Sequence, residues 1–296
     1  MKLSAKRKII DKLNFFGFVA PAITLISMFV AIPFIMCIYY SFRKWNGIGK
    51  TSTFVGIDNY IRLFTSDTIF KGAFIYSMIY TVFVVLFVNI IALLIALLLE
   101  SNIKGKGFFR TSFYIPNIIS LIIIGFIWKF IFGRVFDSLY DTTQFQIFGW
   151  SWIGSPKLSV VATIIVTVWQ SIGFYMIIYI AGLQSVPDSI IEAATIEGAN
   201  SVQKFFKVVL PMIIPSITVC VFYSLSNSLK MFELIFSLTG GGPGTSTTPI
   251  ALDIYNTAFN NNQFGYGSAK SVVLFLLVAA ITIWQVTAFK KKEVEA

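Results

Sequence analysis

Histidine is absent from this chain, and cysteine occurs only at Cys37 and Cys220. The first absence removes the commonest general base and the commonest metal ligand. The second leaves no disulfide framework and no zinc cluster, because both cysteines sit inside apolar runs as small hydrophobes. Hydrolytic or metal chemistry is therefore not expected of this chain. Charge is scarce too: 12% of residues are charged against 56% hydrophobic. A mean hydropathy of +0.81 is more apolar surface than a soluble globule can hide, which places the chain in a bilayer. The net charge of +10 does not point to nucleic acid, since no basic groove is interleaved with aromatics. The basic residues are scattered or gathered at the ends of apolar runs, as membrane topology and anionic headgroups require.

What is present is a series of long apolar runs. A membrane-crossing helix needs roughly 20 predominantly apolar residues. Six segments meet that length, near Phe15 to Tyr40, Phe74 to Leu99, Thr111 to Phe132, Leu158 to Leu183, Met212 to Leu238 and Ser271 to Phe289. The first follows Lys2, Lys6, Arg7, Lys8 and Lys12 but is too long for a signal-peptide core, so it counts as a span. The expected fold class is all-α, a polytopic membrane protein with six transmembrane helices. The expected division is a basic tail at 1–14, a membrane domain at 15–289 and a second tail at 290–296. Six spans put both termini on one side with the loops around Ser101 to Arg110 and Ser185 to Pro211. That side collects Lys104, Lys106, Arg110, Lys204, Lys207 and Lys290 to Lys292, which makes it cytoplasmic. The first outer loop, with Arg43, Lys44, Lys50, Arg62 and Lys71, runs against the bias; the last one, from Thr239 to Ala269, carries no basic residue.

Gly49-Lys50-Thr51 has the ending of a phosphate-binding loop, but Lys44 stands where its first glycine is required and no apolar strand precedes it. The chain carries no nucleotide-hydrolysing motif of its own.

The segment 185–211 is polar and helix-forming, set between two apolar runs. Pro187 ends the fourth span, and Ser189 with Glu192 has capping-box spacing. Gly198 supplies a left-handed stop. A second short helix follows, with Val202, Phe205, Phe206 and Val209 toward one face, and Pro211 starts the next span. The pattern is a helix-turn-helix elbow at the membrane surface, either resting on headgroups or presented to a partner.

Polar residues punctuate the two spans beside it. Thr167, Gln170, Ser171 and Phe174 recur at one-face helical spacing in the fourth, and Ser224, Asn227, Ser228 and Met231 repeat it in the fifth. Such residues turn from lipid toward the protein interior or a water-filled cavity, where they serve interhelical hydrogen bonds or a solute path. Lys230 and Glu233 have pairing spacing near the end of the fifth span, and Lys129 can snorkel to the interface. The last outer loop opens with Thr239-Gly240-Gly241-Gly242-Pro243, a turn-rich run without strand-to-helix order.

Taken together, Glu192-Ala193-Ala194, Glu197, Gly198-Ala199, Phe205 and Leu210-Pro211 with Pro215 resemble the EAA loop of the membrane subunits of ABC importers. Many members have Asp where this chain has Glu197. The Thr-Gly-Gly-Gly-Pro run is similar to that of maltose-type, MalF-like carbohydrate permeases. The resemblance covers nearly the whole chain and implies the transmembrane domain of a type I importer, with core 72–289 and coupling loop 185–211. It implies no catalysis in this chain: ATP and Mg would be bound by two separate ATP-binding subunits, which the elbow engages. It further implies a second homologous permease subunit, an extracytoplasmic solute-binding protein meeting Gly240, Gly241, Gly242 and Pro243, and a sugar path along the two polar stripes. The setting would be a bacterial or archaeal cytoplasmic membrane. Polyol and glycerophosphate-type solutes share these motifs. An ion-coupled transporter would need intramembrane carboxylates, of which the spans offer little beyond Glu233, and a scaffold without a solute is the remaining alternative.

Overall fold

The computed structural model describes residues 15–49, 51–101 and 103–290. The expected tail at 1–14, the tail beyond Lys290 and Lys50 lie outside the described residues. Along the chain come α1 (Phe15–Ser41), a short hairpin of β1 (Arg43–Lys44) and β2 (Thr53–Phe54), and α2 (Asp58–Thr65). Then follow α3 (Thr68–Glu100), α4 (Lys106–Ile118), α5 (Leu121–Thr143), α6 (Pro156–Gln184) and α7 (Asp188–Ile196). The remainder is α8 (Ser201–Met212), α9 (Ile214–Leu229), α10 (Glu233–Leu238), α11 (Ile250–Tyr255) and α12 (Phe264–Lys290). Among the described residues, four helices are long and apolar enough to cross a membrane as they stand, and two bent pairs bring the number up to 6 if each is one span.

The described residues form two compact units. The first takes those through Ser66 together with Ile254–Val273. In it, β1 and β2 pair antiparallel with Arg43 opposite Phe54. The Arg43 guanidinium donates to Ser52 O and Oγ and lies 4.5 Å over the Tyr39 ring. Trp45 stacks on Tyr40 at 4.2 Å, and Arg62 sits 4.2 Å over the ring of Tyr266. Lys270 is buried and donates to Thr257 Oγ1 at 3.0 Å. In α1 the Ile32 N–H reaches back to Ser27 O, a widened π-helical turn directly before Pro33. Proline lacks an N–H and crowds the preceding turn, so the ladder loosens there.

The second unit, Asp67–Asp253 with the segment from Leu274, holds the main core. Here α3 and α6 lie side by side. Val88, Ala92 and Ala96 of α3 pack with Val168, Met176 and Tyr179 of α6 and with Cys220 of α9. Small residues on α3 allow close approach where lipid supplies no hydrophobic drive between helices. A second cluster joins Tyr76, Tyr80 and Val84 to Ile124, Val166, Leu234 and Leu238.

Two expected spans are not straight. The third breaks between α4 and α5 with a 96° bend, through extended backbone at Ile119 and Ser120. Pro116, inside α4 one turn earlier, removes a ladder donor and prepares that break. The fifth enters through α8, bends by 69° into α9, and breaks again at Lys230, Met231 and Phe232 before α10. The new helix takes Pro215, not Pro211, in its first turn.

Candidate functional site

The second unit contains a polar cavity of about 380 Å³. From α6, Thr167, Gln170, Ser171 and Phe174 line it; from α9 and the break after it come Ser224, Asn227, Ser228 and Met231. Every residue of the two sequence stripes therefore reaches one space. The walls are completed by Val84 of α3, Tyr114 and Asn117 of α4, Leu121, Tyr175, Tyr223, Lys230 and Glu233. Sequence reasoning passed over Tyr114 and Asn117. The signal available was a carboxamide directly after Pro116 in an apolar run, a polar group beside a helix breaker.

The cavity wall is internally braced. Tyr80 Oη and Thr167 Oγ1 are 2.8 Å apart, and the Ser171 hydroxyl donates to Thr167 O at 2.5 Å. Ser171 Oγ also lies 3.2 Å from Gln170 Oε1. The rings of Phe174 and Tyr223 lie 4.9 Å apart and 33° from parallel. Amides, hydroxyls and aromatic faces in one concave space can hydrogen-bond a polyhydroxy solute and cover an apolar sugar face. The wall on α4 stands where it does because Gly173 lets α6 touch its neighbour: a Cβ there would meet the Phe113 carbonyl and, at 2.6 Å, the Tyr114 Cα.

Lys230 and Glu233 do not form an ion pair. Both are exposed at the cavity wall. Pairing spacing presumes a continuous helix, and the chain is non-helical from Lys230 to Phe232.

At the far end of α6, Pro187 leads into the elbow. The helix α7 starts at Asp188 with no side-chain cap, so Ser189 lies inside the first turn and the Ser189/Glu192 capping box does not form. The box forms one helix later: Gln203 N donates to Asn200 Oδ1 at 2.9 Å and Asn200 N to Gln203 Oε1 at 3.0 Å. Gly198 has φ +83°, and the amides of Gly198 and Ala199 donate to Thr195 O and Ala194 O. This is a Schellman ending, which favours glycine at the left-handed position. Lys204 Nζ donates to Thr195 Oγ1 at 3.2 Å and links the two arms. Glu192, Ala193 and Glu197 are exposed, with Ala194 and Ala199 half-buried. The expected single apolar face of the second arm is split: Val202 and Phe206 are exposed, whereas Phe205, Val209, Leu210 and Pro211 are half-buried. The cause is a π-helical turn in which Leu210 N–H reaches Phe205 O, again directly before a proline.

The Gly-rich run folds against its own successors. Thr239 and Thr247 share a hydrogen bond of 2.8 Å, and the hydroxyls of Thr247 and Thr248 donate to Gly242 O and Gly241 O. Gly241 is buried, Gly242 and Pro243 are half-buried and Gly240 is exposed. Among the described residues no cluster suited to a metal ion is found.

Bent membrane-length helices around a polar cavity, with a surface elbow on the same two helices, define an integral membrane permease. Residues 88–293 match the family model described as binding-protein-dependent transport system inner membrane component, and the chain belongs to that family. It is 42% identical over 278 residues, 94% of each chain, to the probable starch degradation products transport system permease protein AmyD of Thermoanaerobacterium thermosulfurigenes. It is 34% identical, over 97% of this chain and 99% of the relative, to the multiple sugar-binding transport system permease protein MsmF of Streptococcus mutans. Its fold matches that of a chain in a bacterial ABC transporter importing the acidic polysaccharide alginate. There the TM-score is 0.84 over 97% of this chain and 99% of that one, at 21% identity.

Proposed function

We propose that this chain is one permease subunit of an ABC importer for a sugar or oligosaccharide, and that its elbow is the coupling element for a separate ATPase. The observation that carries this reading is the continuity of α6 and α9 from the polar cavity to the elbow. Thr167, Gln170, Ser171, Phe174, Ser224, Asn227, Ser228 and Met231 contact the solute. Glu192, Ala193, Ala194, Glu197, Gly198, Ala199, Phe205, Leu210 and Pro211 form the docking surface. Exposed Glu192, without a partner among the described residues, meets a basic side chain of the ATPase. Small alanines beside it allow close approach of the two backbones.

One elbow per chain calls for a second, homologous permease to serve two ATP-binding subunits, which hold the ATP and Mg. Both termini and the elbow lie on the cytoplasmic side, and the turn at Gly240 to Pro243 faces the solute-binding protein. Closure of the ATPase pair draws the elbows together and turns the cavity outward; hydrolysis resets it. The relatives' names support a saccharide, as does the chemistry of the cavity wall.

The test is maltooligosaccharide uptake into proteoliposomes containing the whole transporter, with ATP supplied on the elbow side. Glu192→Lys is expected to lower binding-protein-stimulated ATP hydrolysis by at least about tenfold and to weaken recovery of the ATPase subunit, with insertion intact. Uptake that ignores ATP and collapses with an uncoupler would replace this reading with ion-coupled transport.

A further inference from the structure

Between the cavity and the elbow, three helices meet at a polar triangle that takes only Ser224 from the two stripes and adds Asn89 and Tyr179, which neither stripe includes. Tyr179 of α6 donates through its hydroxyl to Asn89 Oδ1 of α3 at 2.7 Å. Asn89 Nδ2 donates in turn to Ser224 Oγ of α9 at 3.0 Å and to Val85 O at 2.7 Å. The Ser224 hydroxyl donates to Val221 O at 3.1 Å. The donors thus run in one direction, from α6 through α3 into the backbone of α9. Tyr179 and Ser224 are each 1% exposed, among Val88, Ala92, Met176 and Cys220. In a bilayer interior a polar group of this kind must find its partner on a neighbouring helix, since lipid offers none.

The position of the triangle matters as much as its composition. Tyr179 lies midway along α6 between cavity-lining Phe174 and the last helical residue, Gln184, about 7.5 Å of helix rise from each. Ser224 lines the cavity itself. Beyond the triangle, Gln184 and Arg110 converge on Glu100 at the end of α3, at 3.1 and 2.7 Å. Any displacement of the elbow must pass through this section to reach the cavity walls on α6 and α9.

We infer that Asn89 is a positioning residue for transport: it bolts α3, α6 and α9 into one rigid body, so that movement of the elbow reaches both polar walls together. This rests on the permease reading above. The alternative is a contact that stabilises the fold and carries no motion. Tyr76 Oη and Thr163 Oγ1, 3.0 Å apart, supply a control: another tyrosine hydroxyl bonded between α3 and α6, at a place farther from the elbow.

Cys220, 0% exposed beside the triangle, is a built-in reporter. In the complete transporter in nanodiscs, with Cys37→Ala as parent, modification of this chain by N-ethylmaleimide is followed by mass, with and without turning-over ATP and Mg. Asn89→Leu is expected to speed modification about tenfold during turnover while leaving the nucleotide-free rate near that of the parent. Tyr179→Phe, the milder variant, moves the same way by about threefold, and Tyr76→Phe stays within about twofold in both conditions. Equal acceleration with and without ATP, or none in either variant, would overturn the inference in favour of plain stabilisation. Failure of the permease reading shows elsewhere, as uptake indifferent to ATP.

Discussion

The helices α1 and α6 are both long enough to cross a membrane, yet they use their residues in opposite ways. In α1 none of the most apolar eighteen-residue stretch is buried, while in α6 56% is, although α6 is the less hydropathic of the two. In water the more apolar segment would lie inside. In lipid the solvent is itself apolar, so apolarity stops distinguishing inside from outside, and small or polar residues mark the interior instead. The buried face of α6 includes Ser159, Thr163, Thr167, Gln170, Gly173 and Gly182, whereas α1 exposes Phe18, Phe29 and Ile35.

The sharpest way to break this contrast is Gly173→Leu. Its side chain must enter the space held by the Phe113 and Tyr114 backbone, and overpacking of this kind costs about 1–3 kcal/mol or more. A large loss of monodisperse protein and a lower unfolding temperature in detergent are expected; an unchanged melting profile would show that α4 does not depend on α6. A smaller effect is expected of Gln170→Ala. It removes a cavity amide without touching the helix contact, so uptake falls about threefold to tenfold while basal ATP hydrolysis and assembly persist. Assays of uptake and hydrolysis on the same preparation check this, and a parallel loss of assembly would mark Gln170 as packing. The smallest effect belongs to Met28→Leu in α1, where an exposed apolar side chain is exchanged for another. Stability and uptake are expected to stay within about 0.5 kcal/mol, measured by the same melting and uptake assays.

Much of this arrangement is legible in the sequence because its signals are local. Apolar runs reveal spans, and helical spacing puts Thr167 with Phe174 and Ser224 with Met231 on shared faces, which the fold turns toward one cavity. Gly198 advertises its left-handed backbone. Breaks are harder to read, because the residues around Ile119 and Met231 remain apolar enough to look like continuous helix. Once α9 stops at Leu229, the spacing of Lys230 and Glu233 loses its meaning. The elbow offers two matches to a capping box. With Pro187 in the N-cap position, α7 begins two residues too early for Ser189 to cap it, while Asn200 and Gln203 stand correctly placed for α8. Tyr114 and Asn117 belong to the cavity only because the chain turns sharply after Ile118, a tertiary fact with no periodic trace.

The turn between α7 and α8 carries a consequence for recognition. Its backbone amides from Glu197 to Asn200 are all satisfied within the chain, by the bonds that end α7 on one side and the Asn200–Gln203 exchange on the other. If the elbow docks an ATPase subunit as proposed, that subunit would meet a shape already cast, so little ordering entropy would oppose the encounter and small differences in the receiving cleft would translate directly into dwell time. Selectivity among ATPases would then reside in the fit of a stiff template, with exposed Ile196, Val202 and Phe206 as the features a mismatched cleft cannot accommodate by yielding.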